Sequence, residues 1–437
     1  MSFGGGTFLT MNKVLPGAYI NFVSAARASS IVGDRGTGAL GLELDWGAEN
    51  SIFAVDQEDI QKSCEKIFGY SYTDGKMKGL RDFFAHALKG YFYRLNNGGI
   101  QATSTFGKAK YTGTRGNSIM IAVAENIDDT AKFDVSTYFD GELMDTQTIA
   151  SSADLTDNDF VLFDKTATLA ATAGTYLAGG TNGTAASGTD HSNFLAALEP
   201  YNFNTLGCLS TDDTTKKLYL AYGKRMRDQV GAKFQVAVYK TTKPDYEGCI
   251  NFTTPSTDVD FGESAGIYWV TGAEAGCAIN KSTTNTTYDG EFEFTCETKQ
   301  SNLQKAIEAG EFVFHQVDDE IRVLKDINSY VSFTKLKNRD FSLNQVIRVL
   351  DQLAVDEAKM FNNTYLGKEQ NDPIGQEFLW NDYTDYGKKL LTLRAIKNFV
   401  PEDITVADGE NKEDVYVENH IQPVVCMEKL YMLVTVA

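Results

Sequence analysis

Residues 415–437 constrain this chain more than any other stretch, because they read as extended strand up to the final residue. Leu430, Met432, Val434 and Val436 fall on one face, and Tyr431 and Leu433 make the other face apolar too, as in a strand covered on both sides. Such a strand needs a host sheet. The other end has the same character: after Gly4, Gly5 and Gly6, the run Leu15-Pro16-Gly17-Ala18-Tyr19-Ile20-Asn21-Phe22-Val23 is a turn followed by an apolar strand. Two apolar strands at opposite termini invite aggregation unless pairing with another copy is their purpose.

The remaining 400 or so residues supply ample core. With 437 residues, 42% hydrophobic and 23% charged, the chain is expected to form about two to four globular domains. A formal charge of −19 argues against nucleic acid or an anionic membrane as partner, since neither finds clustered Lys and Arg here. Self-repulsion of an abundant soluble protein accounts for it, and would make any assembly salt-dependent. The six cysteines, Cys64, Cys208, Cys249, Cys277, Cys296 and Cys426, include no C-x-x-C pair, so neither a zinc site nor a disulfide framework is indicated. No basic-then-apolar leader opens the chain, and no apolar run approaches the roughly 18 residues of a membrane span. Synthesis and assembly in a cytoplasm are the expectation.

Along the chain, residues 31–95 alternate short strands with amphipathic helices. Asp56 caps a helix with Ile60, Cys64 and Ile67 on one stripe and Gly69 as its stop, a second helix carries Leu80, Phe83, Phe84, Ala87 and Leu88, and Tyr91–Leu95 reads as strand. After the turn-rich Asn96-Asn97-Gly98-Gly99 the pattern becomes all-β, rich in Thr and Ser. Alternation resumes at Asp190, with helices around 194–198 and 214–229 and strands around 205–209 and 233–239. Further on, Ser342-Leu343-Asn344-Gln345 reads as a capping box, Val346, Val349, Leu350, Leu353 and Met360 as an apolar stripe ending at Gly367, and a last helix runs from Pro373 towards Lys397. The fold class is therefore α+β multidomain: an N-terminal arm at 1–23, a discontinuous α/β central domain at 24–97 and 188–328, an all-β insert at 98–187, an α+β C-terminal domain at 329–414, and a terminal strand at 415–437.

One motif suggests catalysis. Gly262-Glu263-Ser264-Ala265-Gly266 matches G-x-S-x-G, whose small residues let a nucleophilic serine sit on a tight turn between strand and helix. A strand at 258–261 and a helix at 263–278 would frame it, and Asp289 and His315 follow in triad order. That is the alternative reading, an α/β-hydrolase-like serine esterase. Against it, His315 lies in a strand pattern, no His-Gly-Gly oxyanion motif exists, and so short a motif is common by chance, so a structural role for Ser264 is the better reading. Gly33-Asp34-Arg35-Gly36-Thr37-Gly38 lacks the Gly-Lys-Ser/Thr ending of a phosphate loop. The four histidines, His86, His191, His315 and His420, are not spaced as metal ligands, and the acidic stretch 154–159 lacks the glycine and distal glutamate of a calcium loop. No catalytic residue, cofactor or metal is expected.

Five segments share a resemblance: Pro16-Gly17-x-Tyr19, Gly113-x-Arg115-Gly116-Asn117-x-Ile119, Leu177-Ala178-Gly179-Gly180-Thr181-Asn182-Gly183, Ile321 to Ser329, and Ile421-x-Pro423-Val424 through Met427-Glu428-Lys429-Leu430-Tyr431-Met432. Spread over essentially the whole chain, they resemble contractile tail sheath proteins of myophages and R-type bacteriocins of Gram-positive hosts. The resemblance implies a non-enzymatic subunit of a phage or bacteriocin tail. It would polymerise with itself around an inner tail tube protein, between baseplate and tail terminator proteins, and contract to drive the tube through a target envelope. It also implies that the two arms, through Pro16, Gly17, Tyr19, Ile20 and Phe22 at one end and Leu430, Tyr431, Met432, Val434 and Val436 at the other, join C-terminal domain sheets of neighbouring copies. The C-terminal domain would lie innermost, and Lys388, Lys389, Arg394 and Lys397 would meet an acidic tube, although a solvated basic face accounts for those residues equally.

Overall fold

The computed structural model describes residues 35–436; the arm residues Pro16, Gly17, Tyr19, Ile20 and Phe22 lie outside them. The chain divides into two compact units.

The first unit comprises Ala39–Arg81 and Leu88–Tyr201. Its elements begin with β1 (Thr37–Leu42), β2 (Ile52–Asp56), α1 (Gln57–Phe68), α2 (Lys78–Phe84) and β3 (Lys89–Arg94), and the strands lie in the order β1-β3-β2. β2 and β3 run antiparallel, from Ile52 opposite Tyr93 to Asp56 opposite Lys89. Asp56 precedes α1 in extended conformation, and Gly69 ends it at φ 77°, its N–H bonding the carbonyl of Glu65. The inward stripe is Ile60, Cys64 and Phe68. Ile67, placed on that stripe from sequence, is only half-buried.

Seven short strands follow: β4 (Thr103–Ser104), β5 (Gly107–Ala109), β6 (Ile119–Glu125), β7 (Phe133–Phe139), β8 (Glu142–Ile149), β9 (Val161–Phe163) and β10 (Thr172–Tyr176). They form a four-stranded sheet, β10-β6-β7-β8, and a three-stranded sheet, β4-β5-β9. Alternation along β6 turns Ile119, Ile121 and Val123 inward, where they meet Val135, Phe139, Val161 and Phe163. Trp46, from the segment between β1 and β2, completes this core. It is wholly buried, lies edge-on to Tyr111 at 5.2 Å and stacked at a 28° tilt on Phe160 at 6.4 Å, and donates from Nε1 to the Lys66 carbonyl at 3.0 Å. Helix α3 (Gly188–Leu198) closes the unit, started by a capping box between Ser187 and Asp190.

The second unit holds residues 35–38, Asp82–Ala87 and Asn202–Ala437. Four parallel strands, β11 (Thr205–Cys208), β12 (Gln235–Tyr239), β13 (Cys249–Phe252) and β14 (Glu311–Phe312), follow one another across its sheet. Every residue of β11, β12 and β13 is buried, as both-face coverage demands. Between them come α4 (Asp213–Arg225), α5 (Gly266–Gly276) and α6 (Gln300–Glu308), and then a hairpin of β15 (Phe314–Val317) and β16 (Glu320–Val323). The small residues of α5 have a packing cause. A Cβ on Gly272 would lie 2.2 Å from the Phe83 carbonyl oxygen, and one on Gly276 2.1 Å from that of His86, so the helix sits directly on backbone.

The remainder consists of α7 (Asn344–Met360), α8 (Pro373–Thr392), and the short strands β17 (Ile396–Lys397), β18 (Ile404–Asp408), β19 (Val415–Asn419) and β20 (Gln422–Pro423). Val349, Leu379, Tyr383, Tyr386, Leu390, Ile396, Phe399 and Ile404 form their core. Three expectations are corrected here. The capping box at Ser342 does not form: the Ser342 hydroxyl donates to the Arg339 carbonyl, and α7 starts at Asn344 without a side-chain cap. The last helix stops at Thr392, because Arg394 takes φ 60°, a left-handed conformation no helix continues through, so Lys397 lies on β17 instead. Residues 415–423 are not a free strand, since β19 pairs with β18 from Ile404–Asn419 to Asp408–Val415, and β20 pairs with β17.

Candidate inter-subunit site

Beyond β20 the chain is held at three points. The Val424 N–H donates to the Ala395 carbonyl at 2.8 Å, the Cys426 N–H to Gln345 Oε1 at 2.9 Å, and the Glu428 carboxylate bonds Thr284 and Lys325. Residues 429–436 then carry no regular structure and are exposed throughout. Leu430, Tyr431, Met432, Leu433, Val434 and Val436 are between 67% and 92% exposed. Isolated exposed apolar residues are ordinary; six within seven positions are not. The strand edges of the β18–β19 and β17–β20 pairs, each only two strands wide, are templates of the kind that an extended segment can join.

Of the expected tube-facing residues, Lys388, Lys389, Arg394 and Lys397 are all exposed. They come from three different elements: the end of α8, the turn after it and β17. Lys388 bonds Asp385 at 3.0 Å. Glu377, Asp382 and Asp385 are exposed towards the start and middle of α8, alongside Ile374 and Phe378. The helix thus runs from an acidic and apolar half to a basic end, an order that the helix dipole favours on its own.

The segment entering α7 is fixed by a buried ion cluster that the sequence did not single out. Arg348 reaches both Glu274 of α5 and Asp326, with all three side chains about 1% exposed. Arg35 donates to the carbonyls of Glu274 and Cys277, both at 3.2 Å. Burial and the neighbouring Asp326 charge push Glu274 up to about 7. Asp326 faces the same burial, but Arg348 and the Thr283 N–H outweigh it and hold its carboxyl below the ordinary range. Nearby, Arg227 grips Asp351 of α7 with two bonds, at 2.6 and 2.8 Å.

The esterase geometry does not form. Ser264 is buried, and its hydroxyl donates to the Leu209 carbonyl at 2.6 Å. Residues 258–261 are turn rather than strand. Asp289 accepts from Trp269 Nε1 at 2.8 Å and bonds His86 Nε2 at 2.9 Å, while His315 Nδ1 bonds the Arg322 carbonyl within the β15–β16 hairpin. The triad candidates are thus each committed elsewhere. In the glycine run at 33–38, the Gly36 and Thr37 amides that could face a phosphate both donate to Asn204 Oδ1.

Residues 97–182 match the phage tail sheath protein beta-sandwich domain, 184–329 the phage tail sheath protein central domain, and 336–437 the phage tail sheath C-terminal domain. The XkdK protein of the phage-like element PBSX of Bacillus subtilis is 32% identical over 99% of both chains. The solved sheath tail proteins of Desulfitobacterium hafniense and Listeria innocua superpose with TM-scores of 0.80 and 0.79. Their identities are 35% and 33%, over 95% and 93% of this chain and 99% and 95% of theirs. The contracted helical sheath of the anti-feeding prophage, at 12% identity and a TM-score of 0.54 over 97% of this chain and 99% of its own, shares the fold. With all three sheath domains matched in order along it and a relative 32% identical over 99% of both chains, this chain belongs to the phage tail sheath protein family.

Proposed function

We propose that this chain is the structural subunit of a contractile sheath, polymerising by exchange of its terminal strands around an inner tail tube. The observation that carries the reading is the exposed apolar segment 429–436 leaving a folded body that offers open strand edges. Burying a large apolar side chain contributes about 1.5–3 kcal/mol, so six of them, with a ladder of main-chain bonds, favour a host sheet strongly. Within one chain that host is missing among the described residues; in a polymer every neighbour supplies one. The N-terminal arm, 1–23, would be the reciprocal half of the linkage, through Pro16, Gly17, Tyr19, Ile20 and Phe22.

Connected arms let rigid bodies rotate and slide without parting, which is what contraction of a lattice requires. The energy would be stored in the extended polymer and released as new lateral contacts form, with no nucleotide. We further propose a discontinuous central domain at 24–97 and 188–328, an outward-projecting insert at 98–187, and an innermost domain at 329–414 whose Lys388, Lys389, Arg394 and Lys397 approach the tube. The particle would be a phage or bacteriocin tail, assembled in the host cytoplasm with baseplate and terminator proteins at its ends. Electron microscopy of the purified protein tests this. Tubular polymers support it; a monodisperse monomer across protein and salt concentrations contradicts it.

A further inference from the structure

The chain holds its own C-terminal segment as far as Glu428. Glu428 Oε2 lies 3.2 Å from Lys325 Nζ, and Oε1 accepts from Thr284 Oγ1 at 3.2 Å. The Lys325 side chain is only 10% exposed, so its ammonium is largely stripped of water and relies on the carboxylate opposite. Thr284 is fixed in turn: its hydroxyl accepts from the Asp326 N–H at 2.9 Å, and Asp326 carries Arg348. Consecutive residues therefore serve two sites, Lys325 facing the root of the arm and Asp326 the buried cluster on α7. At the root lies an open pocket of about 300 Å³ that Lys325 and Glu428 themselves help to line, with Arg339, Asp340, Cys426 and Lys429.

We propose that Glu428 is the clip that fixes the root of the arm to the 325–326 segment. Residues 429–437 are then the part delivered to a second copy of this chain. Force on the arm meets its most distal anchor first, so tension passes to Lys325 and the Thr284–Asp326–Arg348 network before it reaches the Cys426 and Val424 bonds or the β17–β20 pair. This rests on the strand-donation reading, and the test separates the two.

Three forms of the full protein, wild type, Glu428→Gln and the exchange Glu428→Lys with Lys325→Glu, are compared with a chain ending at Glu428. Polymer is measured by sedimentation and microscopy, and amide hydrogen exchange is followed at Val424 and Cys426. Glu428→Gln is expected to keep its circular dichroism, to speed exchange at both amides, and to raise the critical concentration for polymer about tenfold, the factor that 1.4 kcal/mol carries. The charge exchange should recover most of that loss. Wild-type assembly and wild-type amide protection in Glu428→Gln would overturn the clip, as would failure of the charge exchange to restore a defective Glu428→Gln phenotype. Polymer formed by the chain ending at Glu428 would instead overturn strand donation.

Discussion

Replacing Arg348 with Met strands two buried carboxylates. Glu274 and Asp326 both end on the guanidinium at about 1% exposure, and Met keeps the aliphatic stem while removing the charge. Removing one partner from a buried ion pair costs about 3–5 kcal/mol. Two carboxylates share this arginine, which pushes the cost up, but Glu274, already raised to about 7, takes a proton readily and relieves part of it. We expect a loss of about 4 kcal/mol at pH 7.5, and a fall in Tm of roughly 8–16 °C for a cooperative unit of 150–250 residues. The sign with pH follows from linkage. Without Arg348 both carboxyls have folded values raised above their ordinary ones, 4.5 for Glu274 and 3.8 for Asp326. A raised carboxyl destabilises fully above its folded value, and the penalty fades as pH falls towards the ordinary one. The deficit relative to wild type should therefore be largest at pH 7.5 and visibly smaller at pH 5. In wild type, by the same argument, Glu274 adds stability as pH falls from 7 towards 4.5. The depressed Asp326 withdraws its contribution only as pH falls below 3.8 and through its folded value. Thermal denaturation followed by circular dichroism, on chains ending at Glu428 so that polymer does not intervene, measures both. A deficit under about 1 kcal/mol, the scale of a surface pair, or one equal at both pH values, would refute the reasoning.

Ser264→Ala should cost about 1 kcal/mol, the net value of its bond to Leu209, and leave assembly intact; serine-dependent ester hydrolysis by the native protein, abolished in this variant, would contradict the structural role. Deleting the insert should leave a folded, polymerising chain, but the cut must run to residue 183, because β10 pairs with β6, and must include Trp46→Gln, because Trp46 belongs to the insert's core; insoluble product from that variant would show the insert to be integral. Lys388→Glu with Lys389→Glu should leave sheath polymer intact while abolishing co-sedimentation with tail tubes, and unchanged tube association would exclude the basic end of α8 as the tube contact.

Local features of this fold were legible where one side-chain period ran between clear stops. Helix α1 shows it, with Asp56 before it and Gly69 after it. The end of α8 was hidden because no Gly or Pro marks it; the stop is Arg394 in a left-handed conformation. The limit of the C-terminal arm was visible but misjudged. Val415 and Val417 alternate with Tyr416 and Glu418, a strand covered on one face: β18 pairs with its edge, and the two valines pack on the core around Leu379 and Tyr383. From Leu430 onward, past the charged Glu428 and Lys429, successive residues are apolar on both faces. The Arg348 cluster could not be read from sequence, because its members lie 74 and 22 residues apart among 59 acidic and 40 basic residues. Burial alone distinguishes them.

Strand donation stands or falls on a chain ending at Glu428, compared with wild type by sedimentation, circular dichroism and electron microscopy. Because β19, β20 and the Glu428 anchors remain in it, the account predicts a native-like soluble monomer that forms no tubular polymer at any concentration where wild type does. Tubes assembled by the shortened chain, or a shortened chain that unfolds because the last residues complete its own core, would contradict it.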